Sequence, residues 1–142
     1  MVLAVKSKNM RMEMRQKSGF ILFLTFWLLI HPFNSSGQIL QPIITGLKVG
    51  DAKIVASHFY ENIELVILDH ELVCSKAQGE QILKDFFIHH KPFDFRITHQ
   101  GGEDSAYAIG KLQTRDGNFR VYFLLKSKGG KAQIVQLRID KD

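Results

Sequence analysis

The sequence predicts a small α+β domain in which helices come early and an antiparallel sheet closes the chain. Three observations carry this. Phe119-Arg120-Val121-Tyr122-Phe123-Leu124-Leu125 is the most strongly β-prone run, rich in aromatic and branched residues. Asp116-Gly117 and Lys128-Gly129-Gly130 punctuate it on either side as hairpin turns. Earlier, Ile82, Leu83, Phe86 and Phe87 form one apolar stripe at helical spacing, behind a Ser75-to-Gln78 capping-box pattern.

The first 37 residues read as a secretory signal peptide and the domain as residues 38–142. Lys6, Lys8, Arg11, Arg15 and Lys17 stand against Glu13 alone, a balance of +4. The apolar run Phe20 to Ile30 would rise only about 16 Å as a helix, short of a hydrocarbon core of roughly 30 Å. Pro32 and the small polar stretch Asn34-Ser35-Ser36-Gly37 follow, which places cleavage before Gln38. Met14 is an alternative start that leaves the same signal intact. The expectation is an exported chain, periplasmic or extracellular, with no stable membrane span once the signal is removed.

Most of the net charge of +5 leaves with that segment, because residues 38–142 carry 14 basic and 13 acidic side chains. A nucleic-acid partner is therefore not expected, since such binding rests on a basic footprint. Cys74 is the only cysteine, so no intrachain disulfide forms. Its place in a short apolar stretch marks a buried, inert thiol rather than a nucleophile.

In chain order, Ile39, Leu40, Ile43, Ile44 and Leu47 recur at helical spacing. Gly50-Asp51 ends that helix and caps the next, which carries Ile54, Val55 and Phe59 on one face. His58, one turn after Ile54, reads as a half-buried helix histidine. Asn62 to Leu68 alternates as a strand, Asp69-His70 turns, and Glu71 to Cys74 returns. The capped helix runs to Lys91-Pro92, where the residue before proline leaves helical geometry. His89 and His90 fall in its last turn. Helical neighbours point about 100° apart, so they do not share an ion, and neither metal nor cofactor is expected.

From Phe93 the chain is sheet. Phe93, Phe95, Ile97 and His99 share the inward face with Ala106, Ala108, Gly110 and Leu112 of the next strand. A two-residue turn on Asp116-Gly117 sets Leu112 opposite Val121, Gly110 opposite Phe123 and Ala108 opposite Leu125. For the last hairpin, a two-residue loop on Gly129-Gly130 would mix core and polar faces. A three-residue loop instead sets Phe123 opposite Val135, Val121 opposite Leu137 and Phe119 opposite Ile139. The outward face then holds Arg96, Gln113, Arg120, Tyr122, Gln136 and Arg138, with Ile109, Leu124 and Ile134 among them. Arg120 lies across from Arg138 and from Gln113, and Tyr122 across from Gln136.

The order of elements resembles the nuclear-transport-factor-2-like, cystatin-type cone, in which a curved sheet wraps the helices. Val66 to Phe87, Tyr107-Ala108-Ile109-Gly110 and Phe119 to Lys126 are similar to a family of small exported Bacteroidetes proteins of unknown function. That resemblance implies the cone fold and a sheet face that commonly dimerises. It transfers no activity.

Function follows from the two faces. Catalysis of the isomerase or dehydratase kind needs a base near a substrate carbon and donors for an oxyanion. The inward face offers one ionisable group, His99, so the cone reads as filled core. Ala108 and Gly110 are taken to admit Phe86 and Phe87. The expected function is an exported, non-catalytic binding or homodimerisation module. Its site is the outward set Arg96, Arg120, Arg138, Tyr122, Gln136 and Gln113, where facing arginines would meet acids of a second copy or a small anionic ligand. The alternative is a small-molecule-binding protein or enzyme using a cone pocket at His99, Ala108 and Gly110.

Overall fold

The structure is a computed structural model that describes residues 37–102 and 106–142. The signal-peptide reading of residues 1–37 falls almost wholly outside the described residues. Among them, no helix is long and apolar enough to cross a membrane.

Helix α1 (Gly37–Val49) buries Ile43 and Leu47 completely. Gly50 ends it at φ 71°, a value a side chain would resist. The Asp51 carboxylate then accepts the Ile54 N–H at 3.0 Å and caps α2 (Ala52–Ser57). Helix α2 stops before Phe59, which opens strand β1 (Phe59–Ile67) instead of continuing the helical face. Long-range pairing explains the difference. The His58 carbonyl accepts the Ile134 N–H at 2.7 Å and Phe59 pairs with Ile134, so a distant strand claims this backbone.

Strand β2 (His70–Ser75) returns from a turn on Leu68-Asp69, one residue earlier than the sequence places it, with Leu68 at φ 56°. Helix α3 (Lys76–His89) carries the expected capping box: Ser75 Oγ accepts the Gln78 N–H, and Gln78 Oε1 accepts the Ser75 N–H at 3.1 Å. Leu83, Phe86 and Phe87 are buried, while Ile82 is half-buried. Four strands complete the chain: β3 (Pro92–Gly101), β4 (Tyr107–Thr114), β5 (Gly117–Lys128) and β6 (Lys131–Lys141).

The sheet order is β2-β1-β6-β5-β4-β3, antiparallel throughout except where β1 runs parallel to β6. Helix α1 packs on β3, and α3 packs on α2, β1 and β2. One core lies between helices and sheet, with Phe59, Ile63, Leu65, Leu112, Val121, Phe123, Leu137 and Ile139 wholly buried.

Both late hairpins close differently from the sequence expectation. The β4–β5 loop is Arg115-Asp116, closed by Thr114 opposite Gly117, so Ala108 faces Phe123, Gly110 faces Val121 and Leu112 faces Phe119. The reason is side-chain chemistry. The Asp116 carboxylate is held 2.9 Å from the Thr114 hydroxyl and 2.5 Å from His90 Nδ1, and positive φ falls on Gly117 alone. A slip of two residues keeps every side chain on its expected face.

The β5–β6 loop is Gly129-Gly130, both at positive φ, which is the two-residue turn rejected for mixing faces. A bulge between Leu124 and Leu125, absorbing Val135 on the partner strand, restores the alternation. Ile134, expected outside, is therefore wholly buried, and Val135 is displaced from the core face.

Candidate functional site

Two bulges in β3 decide what lines the cone. Phe93 and Asp94 together oppose Gln113, and Thr98 and His99 together oppose Ile109. The second is stitched by the Thr98 hydroxyl, which donates to the Ile109 carbonyl at 3.1 Å. Each bulge inverts the alternation beyond it. Phe93 is 58% exposed rather than core, and His99 shares the outward side of Ile109. Gln100 takes its inward place, opposite Ala108.

The predicted pocket set is accordingly dispersed. His99 is outside, and Ala108 is completely buried. Gly110 is covered by Phe95, because a Cβ at this position would collide with the ring. Phe95, not Phe86 or Phe87, is the side chain the missing atoms admit.

The opening lies further out, at the mouth of the cone. Leu40 and Ile44 of α1 face Ile97 and Gln100 of β3 and Leu125 of β5 across a cavity of about 480 Å³. Gln41 and Tyr107 add neutral polar groups at its edge. Among the described residues, no carboxylate, imidazole, amine, guanidinium or thiol lines it. Such a lining is suited to an apolar body, with hydrogen-bonding groups at its edge.

The outward face keeps the residues assigned to it but rearranges them. Arg120 lies opposite Asp140 and Lys111, Tyr122 opposite Arg138 and Ile109, Leu124 opposite Gln136, and Gln113 opposite Asn118. The facing-arginine pair is therefore corrected: the bulge at Val135 shifts Arg138 by one rung. Acids of the same chain provide the compensation. Arg138 Nε reaches Asp140 at 2.7 Å, Arg96 Nε reaches Asp94 at 2.9 Å, and Lys111 reaches Asp142 at 2.8 Å. Lys48 of α1 adds a second cation to Asp94 at 3.2 Å. Hydrogen bonds from Lys48 and Arg96 hold the Asp94 carboxyl below the usual carboxylate range, and Lys111 does the same for Asp142.

Asp140 sits with Arg120, Arg138, Tyr122 and Ile109 in a cleft of about 220 Å³, where Arg138 grips a carboxylate of its own chain. Beside it, Gln136 donates to Glu64 at 2.6 Å and the Tyr107 and Tyr122 rings stack at 6.3 Å.

A family profile described as a domain of unknown function (DUF4783) matches residues 40–140. A DUF4783 protein from Bacteroides ovatus is 31% identical with a TM-score of 0.69, over 72% of this chain and 94% of that one. Another from Bacteroides uniformis is 32% identical with a TM-score of 0.69, over 72% and 95%. The chain belongs to the DUF4783 family. No curated protein matches it. A cystatin-like domain of unknown function from Nostoc punctiforme, 11% identical with a TM-score of 0.58 over 74% of each chain, shares the fold. NTF2-type chains do as well, so the α+β cone is the fold of this DUF4783 domain.

Three groups at the DUF4783 cone mouth escaped the sequence reading: Gln100, and the α1 pair Leu40 and Ile44. Gln100 lies beyond the faces read from simple alternation, and only the hydroxyl of Thr98 hints at the bulge that turns it inward. Leu40 and Ile44 read as ordinary core stripe. Two other assignments stand as read. Cys74 is buried, and burial pushes its thiol pKa up, away from reactivity. His58 is half-buried, and burial, aided by Lys76, lowers its pKa.

Proposed function

We propose that this DUF4783 domain is an exported, non-catalytic binding module that takes a small, uncharged, largely apolar molecule at the cone mouth. The carrying observation is the cavity of about 480 Å³, where the core is left open between α1 and β3 and, among the described residues, the polar groups around it are neutral. Apolar lining supplies affinity through surface removed from water, and Gln41, Gln100 and Tyr107 supply orientation. Export rests on the charged, short-apolar, small-residue pattern of residues 1–37.

The test is a titration of the protein with small uncharged apolar compounds, read by amide chemical shifts, beside an Ala106→Trp variant that fills the cavity. Saturable binding that maps to Leu40, Ile44 and Gln100 and disappears in the variant is expected. Compounds that bind the variant equally well, or none that bind at all, would sink the reading.

A second reading, homodimerisation through the outward face, is favoured by the division of charge across it. Glu71 on β2, Glu64 on β1 and Asp140 on β6 occupy one half; Arg120, Lys111 and Arg96 on β5, β4 and β3 occupy the other. A twofold axis along the strands between β5 and β6 would lay each basic half over the partner's acidic half. Tyr122, Ile109 and Leu124 would form the apolar centre. Sedimentation should give a dimer that Arg120→Glu converts to monomer. A concentration-independent monomer in the unmodified protein removes this reading.

A further inference from the structure

Among the described residues, six partly buried apolar side chains join the core to solvent, and they divide evenly between two places. Leu40, Ile44 and Ile97 belong to the cone mouth. Leu68, Leu72 and Ile82 belong to a groove of about 400 Å³ at the other edge of the sheet, between α3 and the β1–β2 hairpin. Phe86 contributes to its floor, and His70, His89, His90 and Asp85 to its rim.

The rim chemistry is fixed by hydrogen bonds. His89 Nδ1 lies 2.9 Å from the Asp85 carbonyl, which only accepts, so Nδ1 carries the hydrogen. His90 Nδ1 lies 2.5 Å from Asp116 Oδ2. Hydrogen bonds from His90 and Thr114 keep the Asp116 carboxyl pKa low, so here too the imidazole donates. In a neutral ring the remaining nitrogen, Nε2, is then a lone-pair acceptor. His90 is also clamped between Phe86 and Phe119, at ring separations of 4.8 and 4.9 Å, which fixes its plane. Among the described residues, the groove is lined by the Asp85 carboxylate and by neither lysine nor arginine. No group of three or more His, Cys, Asp or Glu among the described residues is arranged to hold a metal ion.

Backbone conformation points to the same place. The two-residue turn that closes the hairpin holds Leu68 at φ 56°, a conformation glycine or asparagine would adopt with less strain. Leu68 instead places a large apolar side chain in the groove wall. Strain kept at a cavity wall is a mark of a working site.

We propose that this groove is a second ligand site, separate from the cone mouth, for a small hydrophobic molecule bearing a primary amine. Its apolar body would lie on Leu68, Leu72, Ile82 and Phe86. Its ammonium would donate to the Asp85 carboxylate and the imidazole acceptors. A carboxylate on the same body would meet acceptors and a like charge, so the site discriminates against it.

The test titrates the protein with 4-phenylbutylamine, 4-phenylbutanol and 4-phenylbutanoate, following amide shifts. The amine should give saturable shifts at Leu72, Ile82 and His89 and bind about tenfold more tightly than the carboxylate. Asp85→Asn should weaken the amine about tenfold and leave the alcohol unchanged. Leu72→Trp, at a half-exposed position that tolerates bulk, should abolish the shifts while the cone-mouth amides keep their positions. Carboxylate binding as tight as the amine, shifts that survive Leu72→Trp, or no saturable shift in the unmodified protein each overturns the proposal. Failure of the cone-mouth reading would register instead at Leu40, Ile44 and Gln100, so the two outcomes are distinct.

Discussion

The two faces of β3–β6 are made from alternate residues of the same strands, yet they answer to different physics. The inward face is set by volume: Phe95 lies over Gly110 so closely that one methyl group would collide with it. The outward face is set by charge: each of Arg96, Lys111 and Arg138 has a carboxylate within 3 Å in the same chain, and most of these groups stay wet. Volume errors in a packed core have no solvent to relax into, whereas an exposed ion pair exchanges a partner for water at little cost. A change of volume therefore matters on one side, and a change of ion partner is absorbed on the other.

Substitutions measure how deep that contrast runs. Phe95→Ala should have the largest effect, about 3–5 kcal/mol lost in urea denaturation, because it empties a buried position of the core. A loss under about 1 kcal/mol would mean the inward face is looser than its geometry. Gly110→Ala should cost about 1–3 kcal/mol through overpacking. In a Phe95→Leu background that cost should shrink, since the colliding ring is gone and neighbouring sites are non-additive. Asp51→Ala, which removes the cap of α2, should cost about 1 kcal/mol in the same measurement.

Arg138→Ala on the outward face should leave the denaturation midpoint of a monomer within experimental error. A clear, concentration-dependent fall would erase the contrast and favour pairing of two copies through that face. The pH dependence is the finest probe. Asp94, Asp116 and Asp142 all have folded-state pKa values below the ordinary one, through hydrogen bonds from Lys48, His90 and Lys111 respectively. Below the unfolded carboxylate value of about 3.9 the unfolded chain binds protons first, so stability drops as pH falls through the folded values. Their contribution should be constant above about pH 5. Charge reversal at Lys48 should reduce the drop by removing the first partner of Asp94.

Much of the fold was legible in sequence. The capping box at Ser75 and Gln78, the N-cap at Asp51 and the burial of Leu83, Phe86 and Phe87 depend on local spacing, which one stretch of chain carries entire. The allocation of Arg96, Arg120, Tyr122, Gln136 and Arg138 to one face was legible for the same reason. The candidate site was less so. His99 was assigned to the cone and Gln100 was not, because a bulge at Thr98–His99 leaves almost no mark on a period of two.

The amino-acid order by itself determined the α+β class, the turn positions to within a residue or two, and most of the core side chains, Phe93, Ile134 and Val135 excepted, because backbone propensity and apolar periodicity are local properties. Tertiary structure decided the rest. The parallel pairing of β1 with β6, the bulges at His99 and Val135, and hence the partners of Arg120 and Arg138 all depend on contacts between segments far apart in the chain. So do the two places where the core meets water, since an opening is a space between elements and belongs to none of them.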